Sequence, residues 1–431
     1  MRVPLAVAAL LATPAMVACQ IEKSSFSGDN QQAERTTNAD DPGERADATI
    51  AQVMSRMHVP GMALVVVRDG KVVKQSAYGV ASLELGVPVT AATRFQIASA
   101  TKVLTGTLVM QLVQDGTIAL EAPVRQYLPD APPTWDSITI AQLAAHASGI
   151  PDLPDPVDTI DEAVSALAKR PLAFAPGAKA QYGLSDIYVL TRVLEKVTGK
   201  RYGELLQARL GLQCTGFEHP QEDGPTRRAD VIPGRTGVYR WEGDHQRTAE
   251  AYYWTPANSS GGAFACIGDL ARWAVAMDQG KLLSPASERL AATPFRLADG
   301  GAAPWGVVFT TSTVRGYRAY GHPGGPALGD ILRVPEQQLT VVVLSNQKAM
   351  YPNTASVIAQ LYLPKPTLPE PIREAPELRT KLEGVAPSLV AGLPRLDRIE
   401  LVGENRYRAT YGDIFVGWKI APDGELTQFF E

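Results

Sequence analysis

The chain has 431 residues, 45% hydrophobic and 20% charged, which supports a large buried core and excludes wholesale disorder. Its 41 Lys and Arg against 45 Asp and Glu leave a net charge of −4. There is no basic excess to neutralise phosphates, so no nucleic-acid partner is expected. Three cysteines (Cys19, Cys214, Cys266) and five histidines are too few and too scattered for a zinc cluster, so neither metal nor cofactor is expected. No apolar run reaches the length of a membrane-spanning helix.

In chain order, Arg2 and the apolar run Val3–Ala18 read as a secretory signal peptide over 1–18. Met16-Val17-Ala18-Cys19 resembles a bacterial lipobox, in which Cys19 would be lipidated and start the mature chain; ordinary cleavage nearby is the alternative. That places the protein in the periplasm or cell envelope, touching the membrane only through the lipid. Residues 19–47, rich in Gln, Ser, Asp, Thr and Gly, suit a flexible tether. Export would put Cys214 and Cys266 in an oxidising space where a disulfide can form, although two buried thiols are the plainer reading.

Met62–Tyr78 reads as strand, turn, strand around Asp69-Gly70, a strong hairpin signal. Ser99–Asp115 changes to helical periodicity, with Val103, Leu104, Leu108, Leu112 and Val113 on one face and Gly116 as the stop. Helical segments such as Ile187–Val197 and Asp269–Met277 follow among Pro and Gly loops. Strands return in WGVVFT (305–310), VRGYRAY (314–320), GDILRV (329–334) and LTVVVLSN (339–346), and a helix closes at Ala355–Leu363. The economical fold is one sheet built from both ends of 48–363, flanked by helices, with a helical insertion between. Pro-rich 364–375 reads as a linker, and 376–431 as a small appended α+β or β unit.

Ser99-Ala100-Thr101-Lys102 places a hydroxyl and an amine on one face at the start of an apolar helix. A serine becomes a nucleophile only beside a base, and a desolvated lysine held neutral is one. Backbone N–H groups at a helix start also favour developing negative charge. The spacing alone is weak: Ser345–Lys348 repeats it, but after a strand. A helix N-cap with a solvated lysine would give the same letters.

The chain then shows VPGMALVVVRDGKVV, RFQIASATKVLTGTLVMQLVQDG, LAAHASGIPDLP, GHPGGPALGDILRV and LTVVVLSNQ in one order. In this it resembles the serine β-lactamase-like hydrolases: class C β-lactamases, D-alanyl-D-alanine carboxypeptidases and β-lactamase-fold esterases. The resemblance spans 48–363 and implies an α/β (α+β) β-lactamase/transpeptidase-like fold with an antiparallel sheet. It implies Ser99 and Lys102 as catalytic, with a tyrosine in a Y-x-N motif that looks like Tyr182-Gly183-Leu184. Tyr351-Pro352-Asn353 also fits that motif but lies too late in the chain. The third element, K-T-G or H-x-G, looks like His322-Pro323-Gly324. His322 would line the cleft, Gly324 would let substrate approach, and the N–H groups of Ser99 and Gly325 would hold the oxyanion. His146 invites a Ser/His reading, but the resemblance makes its segment a structural turn.

Two departures stand out. Leu184 replaces an asparagine that binds the substrate amide, and Pro323 replaces a hydroxyl residue and removes a strand donor. Both strip polar recognition from the amide side of the cleft, which favours esters over peptides and β-lactams. The expected function is a serine hydrolase acting on small carboxylic esters through an acyl-enzyme. The alternatives are a D-alanyl-D-alanine carboxypeptidase acting on cell-wall peptide, a weak class C-like β-lactamase, or a binding or sensor protein that no longer turns over.

Overall fold

The period-two burial of Met62–Val67 decides the architecture. Met62, Leu64 and Val66 join one hydrophobic core while Ala63, Val65 and Val67 join another, so the strand they form is covered on both faces. The computed structural model describes residues 41–431 apart from 220, 224–225, 250–252, 326–327, 349–352, 366–369, 385–391, 422–425 and 430–431. The signal segment, Cys19, most of the tether, Tyr351 and Pro352 lie outside the described residues.

The central sheet has seven strands: β1 (Gly61–Arg68), β2 (Lys71–Ser82), β3 (Val87–Pro88), β4 (Thr310–Val314), β5 (Tyr317–Gly324), β6 (Gly329–Val334) and β7 (Leu339–Ser345). Their order is β4-β5-β6-β7-β1-β2-β3 and every pairing is antiparallel. Met62 lies opposite Ser345, so the two ends of 48–363 meet at the middle of the sheet.

One face carries α1 (Pro42–Met57), which begins inside the stretch read as tether. Asp41 caps it by accepting the Glu44 N–H, Pro42 supplies a ready-made first turn, and Ala46, Ile50 and Val53 bury against the sheet. The other face carries the helical region, entered by α2 (Thr101–Gln114). Here the one-faced pattern misleads: Thr101 to Leu112 are all buried, because α2 packs between the sheet and the helices of the insertion. Helices α3 (Ser185–Thr198) and α4 (Ile267–Asp278) extend the predicted segments by a few residues each. Helix α5 (Thr354–Tyr362) returns to the α1 side.

Two predicted strands are corrected. Residues 305–309 do not form one: Val308 has φ 68° and its N–H reaches the carbonyl of Ala144, bending the chain before β4 starts at Thr310. VRGYRAY is split by the β4–β5 turn, where Arg315 and Gly316 have φ 51° and 78°. Arg315 holds that turn by donating to the carbonyls of Leu363 and Asp413.

The C-terminal unit is a five-stranded antiparallel sheet: β8 (Arg373–Glu374), β9 (Arg398–Gly403), β10 (Arg406–Tyr411), β11 (Ile414–Ile420) and β12 (Leu426–Phe429). It is not an appendage on a linker. Strand β8 already lies in 364–375, and Ile399, Val416 and Trp418 share one core with Ile50 of α1 and Ile358 of α5. The described residues accordingly belong to one compact unit.

A three-stranded sheet of Arg94–Gln96, Ala263–Cys266 and Gly216–Phe217 leads into Ser99. Cys266 is bonded to Cys214 with Cα atoms 6.1 Å apart, so the expectation of two free thiols is overturned. Sequence carried no sign of the strand pairing that brings residues 52 apart together.

Candidate active site

Ser99 sits in a short 3-10 turn, Ala98–Ala100, that runs into α2. Ala98 is held at φ 46°, an unfavourable value for a residue with a Cβ, and Thr101 clamps it by donating to the Ala98 carbonyl at 2.7 Å. Ile97 donates to Ala263 at 3.0 Å, so the turn hangs from the three-stranded sheet. On its other side, a Cβ on Gly324 would stand 2.0 Å from the Ile97 carbonyl oxygen. That close approach of two backbones requires glycine. The reading of Gly324 as room for substrate is therefore corrected: the room is taken by the turn that carries Ser99.

Lys102 is the second residue of α2, one turn on from Ser99, with no exposed surface. Its Nζ is 3.3 Å from Ser99 Oγ, 2.6 Å from the Ser260 carbonyl and 4.9 Å from the centre of the Tyr182 ring. Burial drives the amine down to about 7, and the charge of Asp152 only partly opposes this. A neutral amine donates to the Ser260 carbonyl and keeps its lone pair for the Ser99 hydroxyl.

Tyr182 donates its hydroxyl to Ser99 Oγ at 2.8 Å. The residue is 41% exposed, yet the enclosure of its hydroxyl end raises the phenol above its ordinary value. Its loop is set by Asp152, whose Oδ1 accepts from Leu184 N–H at 2.8 Å and Ser185 N–H at 2.9 Å and so caps α3. A Cβ on Gly183 would come 2.9 Å from the same oxygen. Leu184 is half-buried and lines a cavity of about 250 Å³ together with Leu153, Val157, Tyr188 and Trp254 and the carboxylates Asp152 and Asp155.

His322 does not line the cleft. It is 4% exposed, its Nδ1–H donates to the Pro323 carbonyl at 2.7 Å, and its Nε2 has no partner among the described residues. Its ring lies 5.9 Å from that of Tyr182, on the α2 side of β5. Burial, with Lys102 nearby, drives it down to about 3, so it is a neutral imidazole and not an anion-binding cation. Gly325 follows the end of β5 and faces open space. Strand β4 pairs with β5 only as far as Gly321, so Pro323 sits where one edge is unpaired, a place that tolerates the missing N–H.

Ser345 is buried at the end of β7, its oxygen accepting the Gln347 N–H, and the second S-x-x-K is a strand terminus. The cluster of Cys214, Cys266 and Asp269 has the composition of a metal site, but the sulfurs are bonded to each other. The Asp269 carboxylate is taken by the N–H groups of Gln213 and Cys214 and the Thr215 hydroxyl. Sequence reasoning missed three contributors: the Ser260 carbonyl, Trp305 and Asp152. The Trp305 ring lies 5.8 Å from Tyr182.

A serine opening a buried helix, with a lysine one turn on and a tyrosine across the cleft, defines the β-lactamase-related serine hydrolases. The chain belongs to the beta-lactamase family, whose model matches residues 46–361. It is 31% identical over 226 residues to Esterase EstB of Burkholderia gladioli, covering 44% of this chain and 57% of that one. It is 27% identical over 183 residues to Protein flp of Staphylococcus aureus, covering 40% and 36%. The match thus spans little more than half the length of the first relative and about a third of the second. Among solved structures, the octameric penicillin-binding protein homologue from Pyrococcus abyssi covers 90% of this chain and 96% of its own at 20% identity, TM-score 0.62. EstCE1, a hydrolase with promiscuous acyltransferase activity, covers 75% and 98% at 19% identity, TM-score 0.61. These two show the fold.

Proposed function

We propose that the protein hydrolyses small carboxylic esters through an acyl-enzyme on Ser99. The observation that carries this is the convergence on Ser99 Oγ of the Lys102 amine at 3.3 Å and the Tyr182 hydroxyl at 2.8 Å, with the amine driven towards neutrality. Lys102 takes the Ser99 proton as Oγ bonds to the ester carbonyl carbon. The N–H groups of Ser99 and Gly325 hold the resulting oxyanion, the second just past the end of β5, whose last residue, Gly324, is pinned against the Ser99 turn. Tyr182 passes a proton to the departing alkoxide and is reprotonated from Lys102. Water then enters, loses its proton by the same route in reverse, and frees the acid.

Esters are favoured by the apolar wall at Leu184 and by the missing donor at Pro323. A substrate amide would leave a polar group unpaired there, at a cost of about 1–3 kcal/mol. The 31% identity to a protein called an esterase points the same way.

The test is fluorophosphonate labelling of wild type and Ser99→Ala, with p-nitrophenyl butyrate and a chromogenic cephalosporin as substrates. Labelling should map to Ser99 and vanish in the variant; label on Ser345 sinks the assignment. Leu184→Asn should raise the cephalosporin rate relative to the ester by roughly 5- to 150-fold, the equivalent of that hydrogen bond. Wild-type turnover of the cephalosporin or a D-alanyl-D-alanine peptide beyond that of the ester would favour the carboxypeptidase or β-lactamase reading. Labelling with no turnover of any of these would favour the sensor.

We also propose that Cys19 is lipidated and anchors the protein in the bacterial envelope. Mass spectrometry should show a diacylated or triacylated N-terminal Cys19 in the detergent phase. A soluble form beginning after Cys19 would exclude it.

A further inference from the structure

His146 is a buried group that this mechanism leaves unused. It has no exposed surface and is held at φ 56°, the left-handed region that most side chains avoid and that His, Asn and Asp enter more readily. Its carbonyl accepts the Gln181 N–H at 2.8 Å, directly before Tyr182. Its ring lies 4.9 Å from the Tyr182 ring and 5.1 Å from that of Trp305, and Trp305 in turn stacks at 28° to Tyr182. Two aromatic walls therefore meet the phenol, and the same residue that forms one wall ties down the backbone beside it.

Neither ring nitrogen of His146 has a hydrogen-bond partner among the described residues. The nearest carboxylate oxygen, on Asp186, is 3.9 Å from Nδ1, beyond hydrogen-bonding distance. Asp186 is itself engaged by the Ser148 hydroxyl. The other ionisable groups facing the ring are Lys102, His322 and Tyr182, and burial together with Lys102 and His322 holds the imidazole neutral. Its contact with Tyr182 is therefore made by the ring, with no hydrogen bond from either nitrogen.

We propose that His146 is a positioning residue for Tyr182, fixing through its carbonyl and its ring the plane in which the phenol reaches Ser99. This rests on the acyl-enzyme reading of Ser99 and Tyr182. His146→Asn keeps a residue tolerant of positive φ but removes the wall, whereas His146→Phe restores a ring without nitrogens.

With p-nitrophenyl butyrate, His146→Asn should lower kcat by at least about 10-fold with KM within about twofold, as expected when a proton-transfer group is displaced rather than substrate binding lost. His146→Phe should recover most of that loss with the pH profile unmoved. In a Tyr182→Phe background, His146→Asn should cost less than about twofold more, since what it positions is gone. Trp305→Leu, which leaves the His146 backbone untouched, must show the same coupling and serves where His146→Asn fails to fold. Equal losses in both backgrounds would overturn the proposal, as would His146→Phe matching His146→Asn with a displaced pH limb, which would make the imidazole a proton carrier. If Tyr182→Phe alone keeps its rate, the catalytic reading of Tyr182 falls first and the positioning role with it; label on Ser99 in that variant separates this from a failure of the acyl-enzyme itself.

Discussion

At the scale of single residues, the mechanism proposed above gives Lys102 control of how the rate responds to pH. Its amine is fully enclosed and driven down to about 7 by burial, so protonation removes the base as pH falls through that value. The rate should therefore rise with pH across a limb centred near 7 and flatten above it. Asp152 holds the amine up, because a nearby negative charge favours the protonated form. Asp152→Asn should accordingly move the limb to lower pH while its Oδ1 still caps α3. A wild-type limb near 10, or one that Asp152→Asn moves upward, in kcat/KM profiles for p-nitrophenyl butyrate would remove Lys102 as the neutral base. The Ser99–Lys102 pair was visible as a candidate because residues three apart on a helix share a face, but Ser345–Lys348 has the same spacing and only the resemblance chose between them. Tyr182 was legible only through resemblance, since 83 residues separate it from the serine it touches. The Ser260 carbonyl and the ring of Trp305 leave no such trace, because every residue carries a carbonyl and a tryptophan reads as core.

At the scale of elements, the site depends on how closely β5 lies against the turn before α2. Gly324 permits a contact in which a Cβ would stand 2.0 Å from the Ile97 carbonyl oxygen, and backbone atoms on both sides leave nothing flexible to yield. Overpacking typically costs about 1–3 kcal/mol, and a backbone-to-backbone clash belongs at the upper end. Gly324→Ala should lower the melting temperature and, by pushing Ser99 off its partners, cost far more activity than stability alone explains. Gly325→Ala is the control for folding, because its Cβ meets nothing within 4 Å. Equal melting temperatures for the two variants would show that the contact is not stressed. The β1–β2 hairpin was readable from Asp69-Gly70, but 305–310 was not: its β-branched and aromatic content matches a strand, while a hydrogen bond from Val308 to Ala144 in the helical region bends it.

At the scale of the whole molecule, the question is what the C-terminal sheet does. The run Pro364–Pro371 reads as a break, but proline reports only local backbone freedom and says nothing about what is buried across it. The segment on its far side closes the second core: Trp418 and Val416 have no exposed surface, and they share that core with Ile50, Val53 and Ile358. Polar ties run across the same boundary. Gln360 Oε1 accepts from Phe415 N–H at 2.9 Å and its Nε2 donates to the Phe415 carbonyl at 3.0 Å, while Arg56 donates to the Leu393 carbonyl at 2.9 Å. Each large apolar side chain returned to water forfeits about 1.5–3 kcal/mol, against a net stability of about 5–15 kcal/mol for a typical domain. A handful of such side chains outweighs the total. A chain ending at Leu363, although it retains Ser99, Lys102 and Tyr182, should therefore bind a hydrophobic dye, lose its cooperative melting transition and lose esterase activity. Trp418→Ala in the full chain should show the graded form of the same effect, about 3–5 kcal/mol by denaturant unfolding with the intact fold still labelled at Ser99. A truncated chain that melts cooperatively and turns over ester at the full rate would make the sheet a separate module after all.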